Sequence, residues 1–104
     1  MTEQHDVQRS VKVLKAIANE NRLQILRWIL NPVAHFEPQV DGDLVDDGVC
    51  IGRITDKIRL SQPTVTNHMK LLCDAGLVSS KKIKNWVFYK PHREKIRQAL
   101  ESVI

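Results

Sequence analysis

The sequence lacks the features of membrane and secreted proteins. None of its apolar runs approaches the roughly 20 residues that a membrane-spanning helix needs. The first ten residues are polar and mixed in charge, unlike a secretory signal. Two cysteines, Cys50 and Cys73, do not make a disulfide framework and suit a reducing compartment. We therefore expect a cytoplasmic protein with free thiols and no membrane partner.

Motifs for catalysis are missing as well. The sequence has no nucleophile–base arrangement, no phosphate-cradling glycine loop and no helix with paired carboxylates. Its 104 residues, 42% of them hydrophobic, fit one domain over residues 1–104. So short a domain buries proportionally little surface, and pairing with a second copy would help it. We expect a binding protein and not an enzyme.

Charge is distributed unevenly along the chain. Residues 1–49 carry five Lys or Arg and eight Asp or Glu, a net charge of −3. Residues 50–104 carry eleven and four, a net charge of +7. The basic half favours a polyanionic partner, although a solvated basic surface would give the same count. The basic residues do not line one helix opposite an apolar face, which disfavours a membrane surface.

Apolar periodicity predicts two helices before residue 31. The first has an apolar stripe at spacings of three and four: Val7, Val11, Leu14 and Ala18. The second is capped by Asn19, and its stripe comprises Leu23, Leu26 and Leu30, widened by Ile25 and Ile29. Asn31-Pro32 ends it, since the residue before a proline is pushed out of helical geometry. Residues 31–48, rich in Pro, Gly and Asp, are predicted to be irregular.

The second half predicts two short helices, a hairpin and a last helix. Ile51, Ile54 and Ile58 mark the first short helix; the second is capped by Ser61, buries Val65, Met69 and Leu72, and ends at a left-handed Gly76. Residues 77–80 and 86–90 form a hairpin with a basic tip at residues 81–85, and Ile96, Leu100 and Val103 mark the last helix. This mainly α order with a small β-hairpin, α-α-α-α-β-β-α, is that of a winged helix-turn-helix.

The helix that begins after Ser61 is predicted to read double-stranded DNA in the major groove. Its outward side chains are Gln62, Thr64, Thr66, Asn67 and Lys70. Gln and Asn can pair bidentately with adenine, and Thr can bond a base or touch a thymine methyl. An ordinary surface helix would more often carry Glu and Lys, yet no acidic residue occurs from residue 60 to residue 73.

The hairpin is predicted to contact phosphates through Lys81, Lys82 and Lys84, although a solubilising turn fits these lysines equally well. One recognition helix reads only a few base pairs, so we expect a homodimer on a palindrome. The first and last helices are predicted to pair across the dimer. The alternative is that they close over their own core.

These residues resemble the ArsR (ArsR/SmtB) family of bacterial regulators. The resemblance rests on residues 18–26 (ANENRLQIL), 60–72 (LSQPTVTNHMKLL), 75–78 (AGLV) and 87–89 (VFY), and it covers nearly the whole chain except residues 31–48. It implies a homodimer formed by the first and last helices. It also implies a repressor that leaves its operator when an inducer binds.

The metal sites of this family are incomplete here. Many members hold a soft metal with a Cys-Val-Cys pair at the start of the third helix; Cys50 matches the first position, but Gly52 occupies the second. Another family site uses Asp, His, His and Glu on the last helix. That region offers only His92, Glu94 and Glu101, without the required spacing. We expect this chain not to be a standard metal sensor.

Cys50 is the candidate sensing residue. With His35, or with His5 from a partner chain, it could form a weak site for zinc or a similar ion, although such sites usually need three or four ligands. Its thiol, near a helix N-terminus, could instead be redox-active. Cys73 is interpreted as a packing residue, and His68 as a packed, hydrogen-bonded histidine.

Residues 41–48 form an acidic loop that does not fit a calcium site. Val45 stands at a ligand position, Asp46 replaces the turn glycine and Gly52 replaces the closing glutamate. We interpret it as a solvated loop whose charge keeps it away from DNA. The rival to DNA binding is a protein-interaction module, since winged helices can bind proteins. A steep loss of duplex affinity with salt would favour DNA.

Overall fold

The computed structural model describes the backbone of residues 3–104 and the side chains of residues 6–104. Within these residues the order of elements is α1 (Glu3–Ile17), α2 (Glu20–Leu30), α3 (Pro32–His35), β1 (Val49–Cys50), α4 (Ile51–Ile58), α5 (Gln62–Asp74), β2 (Val78–Ile83), β3 (Trp86–Pro91) and α6 (Arg93–Glu101). The predicted four helices, hairpin and final helix are all present. Two elements are additional: the single-turn helix α3 and the two-residue strand β1.

Local capping sets the ends of α2 and α5. The side-chain oxygen of Asn19 accepts hydrogen bonds from the backbone N–H groups of Asn21 and Arg22, at 3.0 and 3.1 Å. The Ser61 hydroxyl accepts one from the N–H of Thr64 at 3.4 Å, and Gly76 follows α5 with a φ of +79°. These contacts satisfy backbone groups that a helix end leaves unpaired. The predicted caps are confirmed.

A three-stranded antiparallel sheet in the order β1-β3-β2 supports the hairpin. Strand β1 pairs Val49 with Tyr89 and Cys50 with Phe88. The hairpin turn contains only Lys84 and Asn85, and Lys84 has a φ of 56°. The prediction of a five-residue tip was therefore wrong, because Lys81 and Lys82 belong to β2. Cross-strand pairing with β3 continues through Lys81 and Lys82, although their polar sequence is typical of a loop.

The core lies where α2, α4, α5 and the sheet meet. The inner face of α5 is buried as predicted, and Val65, Met69 and Leu72 have 0% exposure. From α2 the core takes Ile25, Leu26 and Ile29, and from α4 it takes Ile51 and Ile54. Leu23 was predicted on the apolar stripe of α2 but is 44% exposed.

The first and last helices cover the core with only part of their apolar residues. Helix α1 buries Val13 and Ala16, which the predicted stripe did not include, and α6 buries Ile96. The residues of the two predicted stripes that remain exposed are Val7, Val11, Leu14, Leu100 and Val103, and Ala18 lies exposed just after α1. Most of each stripe is thus not used by the chain's own core.

Adding a methyl group would have different consequences at Gly48 and at Gly76. Both have a positive φ, +101° and +79°. A Cβ on Gly48 would lie 2.4 Å from the carbonyl oxygen of Tyr89 in β3, whereas one on Gly76 would meet no atom within 4 Å.

We predict that Gly48→Ala lowers the free energy of unfolding more than Gly76→Ala. Gly76→Ala should cost about 1–2 kcal/mol, the penalty of a left-handed alanine, while Gly48→Ala must also push β3 away from β1. Urea unfolding of the two variants measures the difference. Equal losses would show that the contact between Gly48 and β3 carries no weight.

Candidate nucleic-acid interface

Helix α5 presents one polar face to solvent. The polar face of α5 comprises Gln62, Thr64, Thr66, Asn67 and Lys70, and all five residues are exposed. Two have local partners: the Thr64 hydroxyl lies 2.8 Å from that of Ser61, and the Lys70 ammonium lies 3.4 Å from the Asp74 carboxylate. The structure thus places the five predicted residues on the exposed side of one helix, opposite the buried Val65, Met69 and Leu72.

Arg22 connects α5 to α1 and α2. From α2, its Nε donates to the Ala16 carbonyl at 2.6 Å and its Nη2 donates to the Lys15 carbonyl at 3.3 Å. Its Nη1 lies 3.1 Å from Nδ1 of His68 on α5. Arginine has no acceptor, so Nδ1 must accept this hydrogen bond and the imidazole carries its proton on Nε2. The interpretation of His68 as a packed, hydrogen-bonded residue is confirmed.

Burial lowers the pKa of His68, and the nearby positive charge of Arg22 lowers that pKa further. Both effects favour the neutral ring that the hydrogen bond requires. Arg22 was not predicted as the partner of His68. The two residues are 46 positions apart, and no local spacing connects them.

The predicted hairpin lysines differ in their surroundings. The Lys81 ammonium lies 2.6 Å from the Asp47 carboxylate, and the Lys84 ammonium lies 3.0 Å from that of Asp41. Lys82 is exposed and has no ion-pair or hydrogen-bond partner among the described side chains. The ammonium of a fourth lysine, Lys90, donates to the backbone carbonyl of Asp46 at 3.1 Å.

The acidic loop therefore docks on the hairpin through Asp41 and Asp47, so its interpretation as a solvated loop holds only for Asp43 and Asp46, which remain exposed. The Asp41 and Asp47 side chains are 29% and 22% exposed. The hydrogen bond from Lys81, and a second from the Asp43 N–H, hold the pKa of the Asp47 carboxyl below its usual value. Opposite charges that are 34 and 43 positions apart meet only because the fold lays the loop along the hairpin.

Hydrogen bonds hold the acidic loop in place. Just before the loop, Gln39 donates to the Gly48 carbonyl at 3.1 Å and accepts from the Cys50 N–H at 2.7 Å. Within the loop, the Asp43 carboxylate accepts from the N–H groups of Val45 and Asp46, both at 2.8 Å. The segment predicted as irregular is thus an ordered structure built on side-chain-to-backbone hydrogen bonds.

The predicted sensing residues do not share a cavity. Cys50 precedes α4 and lines a cavity of about 430 Å³ together with Trp86 and Phe88. His35 lines another cavity, of about 480 Å³. Among the described side chains, no group of three or more His, Cys, Asp or Glu is arranged to hold a metal ion. The side chain of His5, the other predicted ligand, lies outside the described residues.

Cys73 packs against the hydrophobic core from α5. Burial raises the pKa of its thiol, and the adjacent Asp74 carboxylate raises that pKa further. A thiol with a raised pKa forms little thiolate at neutral pH. This agrees with the interpretation of Cys73 as a packing residue.

No helix in the described part of the chain is long and apolar enough to cross a bilayer.

Sequence comparisons relate this chain to bacterial regulators. Residues 46–80, which include α4 and α5, match the family model described as bacterial regulatory protein, arsR family. The chain is 40% identical to the uncharacterised HTH-type transcriptional regulator YbzH of Bacillus subtilis, over 83% of this chain and 86% of that protein. It is 30% identical to the transcriptional activator HlyU of Vibrio cholerae, over 89% of this chain and 72% of that protein.

Structure comparisons give the same fold. HlyU of Vibrio cholerae superposes with a TM-score of 0.68 at 28% identity, covering 99% of this chain and 94% of that one. The homodimeric winged helix-turn-helix DNA-binding domain Mb0332 of Mycobacterium bovis also gives a TM-score of 0.68, at 20% identity over 99% and 83% of the two chains. The predicted fold class, mainly α with a small β-hairpin, is confirmed.

The His68 environment predicts a pH-dependent stability. Because the folded pKa is lowered, the unfolded chain takes up the proton first as the pH falls below about 6.5, the usual histidine value. The stabilising contribution is therefore present above that pH and is lost as the pH falls toward the folded pKa. We predict that His68→Gln flattens the dependence of the free energy of unfolding on pH between 7 and 5.

Urea unfolding at several pH values measures this effect. His35→Gln is the matched control, since His35 is exposed and makes no hydrogen bond or ion pair through its side chain among the described residues, and it should keep the wild-type slope. A His68→Gln variant with an unchanged slope would contradict the assignment.

Proposed function

Because this chain belongs to the ArsR family of bacterial transcriptional regulators, we propose that it is a homodimeric repressor that binds operator DNA through α5 and the hairpin. As a member of this family it is a regulator with a winged helix-turn-helix DNA-binding domain and not an enzyme. The proposal concerns the residues that contact DNA, the dimer, the repressing effect and its release. The observation that carries it is the exposed polar face of α5, whose five residues include no acid, the one exposed carboxylate of the helix being that of Asp74 at its end.

The polar face of α5 is suited to reading bases. The side chains of Gln62, Thr66 and Asn67 are exposed and have no partner among the described residues, so they are available for base edges. An α-helix fits the major groove, where amides can recognise adenine and Thr can touch a thymine methyl. Thr64 and Lys70, which have local partners, are suited to orienting the helix and to contacting the sugar-phosphate backbone of the DNA.

We predict that Gln62→Ala or Thr66→Ala relaxes the sequence preference of the protein. Loss of a base contact should cost about 1–3 kcal/mol against the preferred duplex, with little effect on unrelated duplexes. Selection of bound duplexes from a random pool, followed by titration of the preferred sequence, measures this.

Lys82→Ala serves as the contrasting variant. As a phosphate contact it should weaken all duplexes alike and lower the log–log salt slope by about one. An unchanged preference in both α5 variants would contradict the proposed reading role. A flat salt response of the parent protein would favour a protein-interaction module instead.

The exposed apolar residues of α1 and α6 favour a dimer. They flank a groove of about 840 Å³ lined by Val7, Val11, Leu14 and Val103, and the Ser10 and Ser102 hydroxyls, 3.1 Å apart, join the two helices across it. Exposed apolar side chains grouped at one groove and rimmed by polar residues, here Asp6, Arg9 and Lys95, are typical of an interaction site. The same face of a second copy would cover it and create a two-fold axis, placing two α5 helices on one duplex.

We predict that Val11→Asp produces a folded monomer with reduced operator affinity. Val11 is 42% exposed in one chain, so the charge should be tolerated by the monomer but not by a covered interface. Sedimentation gives the oligomeric state and circular dichroism gives the fold. Val33→Asp is the control, since Val33 is 69% exposed and lies on α3. A dimeric Val11→Asp protein would contradict this interface.

Release by an inducer or a redox signal is the remaining part of the proposal. Cys50 is its candidate sensor, because it pairs with Phe88 of β3 and also precedes α4. Metal binding or oxidation at the Cys50 thiol would therefore affect both the hairpin and α4, the helix that packs on α5. Repeating the duplex titration with metal ions, an oxidant or a reductant, in the parent and in Cys50→Ser, tests this part. A promoter reporter tests the repressing effect.

A further inference from the structure

We propose that the acidic loop is a built-in competitor of DNA: in the free protein its carboxylates occupy hairpin lysines that bound DNA phosphates would take. This inference rests on the proposed function, because it requires that Lys81 and Lys84 contact DNA. It concerns how strongly the protein binds any duplex and not which sequence it prefers.

The contacts of the acidic loop have the chemistry of phosphate contacts. The lysine ammonium group donates hydrogen bonds and accepts none. The ammonium of Lys81 lies 2.6 Å from the Asp47 carboxylate, and that of Lys84 lies 3.0 Å from the Asp41 carboxylate. A carboxylate oxygen and a phosphate oxygen are both anionic acceptors that make charge-assisted hydrogen bonds. The lysine side chains are still 57% and 71% exposed, so a duplex could reach them from the open side.

The loop holds these carboxylates in position. The Asp47 carboxylate also accepts a hydrogen bond from the Asp43 N–H at 2.7 Å, which fixes its orientation toward Lys81. The α-carbon of Gly42 lies against the Phe88 ring, where a Cβ would come within 2.8 Å of a ring carbon. The loop is therefore attached to β3 by packing, independently of its ion pairs.

The strength of the competition follows from the exposure of the pairs. Ion pairs between exposed side chains are weak and are screened by salt, so a duplex can displace them. We expect the loop to weaken DNA binding by a modest factor and not to block it. Because the same pairs break for every duplex, specific and non-specific affinity should fall by the same factor.

Salt dependence gives a second signature. DNA binding releases cations from the phosphates that lysines neutralise. If two aspartates are freed at the same time, they attract cations again and the net release is smaller. Removing the two carboxylates should therefore make the log–log salt slope steeper, by up to about two.

The test is the double variant Asp41→Asn, Asp47→Asn in the full chain, titrated with the selected operator duplex and with an unrelated duplex. We expect about three- to tenfold tighter binding to both duplexes and a steeper salt slope. The matched control is Asp46→Asn. It makes the same kind of change within the same loop, but the Asp46 carboxylate pairs with no lysine, so it should leave the slope unchanged and the affinity nearly so.

Three results would overturn the inference in distinguishable ways. If Lys81→Ala and Lys84→Ala weaken DNA binding but the double Asn variant binds like the parent, the hairpin contacts DNA and the loop does not compete. If the lysine variants also bind like the parent, the proposed role of the hairpin is wrong and the competition is wrong with it. Finally, if Asp46→Asn changes the affinity as much, per charge removed, as the double variant does, the loop weakens DNA binding only through its overall negative charge and not by occupying Lys81 and Lys84.

Discussion

The complete burial of one face of α5 is the constraint on which the rest of the structure depends. Val65, Met69 and Leu72 have no exposed surface, and burying an apolar side chain of this size contributes about 1.5–3 kcal/mol. Rotation of the helix about its axis would expose all three side chains. Their burial therefore fixes the direction in which the polar face of α5 points. Arg22 adds a second restraint, because its hydrogen bonds join α5 to the end of α1. The orientation of the surface proposed to meet DNA is fixed because the opposite side of the same helix is core.

Ion pairs set the charge of the hairpin, which is the second part of the proposed DNA interface. The chain divides into an acidic half and a basic half, and the fold places part of the first on the second. Lys81 and Lys84 meet carboxylates of the acidic loop, whereas Lys82 faces solvent. The free hairpin is therefore less positive than its sequence suggests. Apolar side chains left exposed on α1 and α6 form a separate surface, which we propose a second copy covers, whereas α5 and the hairpin are proposed to contact DNA.

Much of the site could be predicted because its signals are local. The polar face of α5 follows from the spacing of Val65, Met69 and Leu72, and its start follows from a serine cap followed by proline. The hairpin lysines were identified by residue type, but their surroundings were not. The contact of Asp47 with Lys81 leaves no trace in either segment alone. Cys50 and His35 were grouped by ligand chemistry, and the structure assigns them to separate cavities.

The sequence by itself determined the five longer helices, the caps of α2 and α5 and the fold class, because periodicity and capping act within a few residues along the chain. Tertiary structure alone decided the rest. Strand β1 exists because β3 offers it partners, and two residues carry no periodic signal of their own. The partner of His68, the docking of the acidic loop and the exposure of Val11 all depend on chain segments that are distant in sequence. Such contacts form only when burial of the core brings those segments together, so no local pattern encodes them.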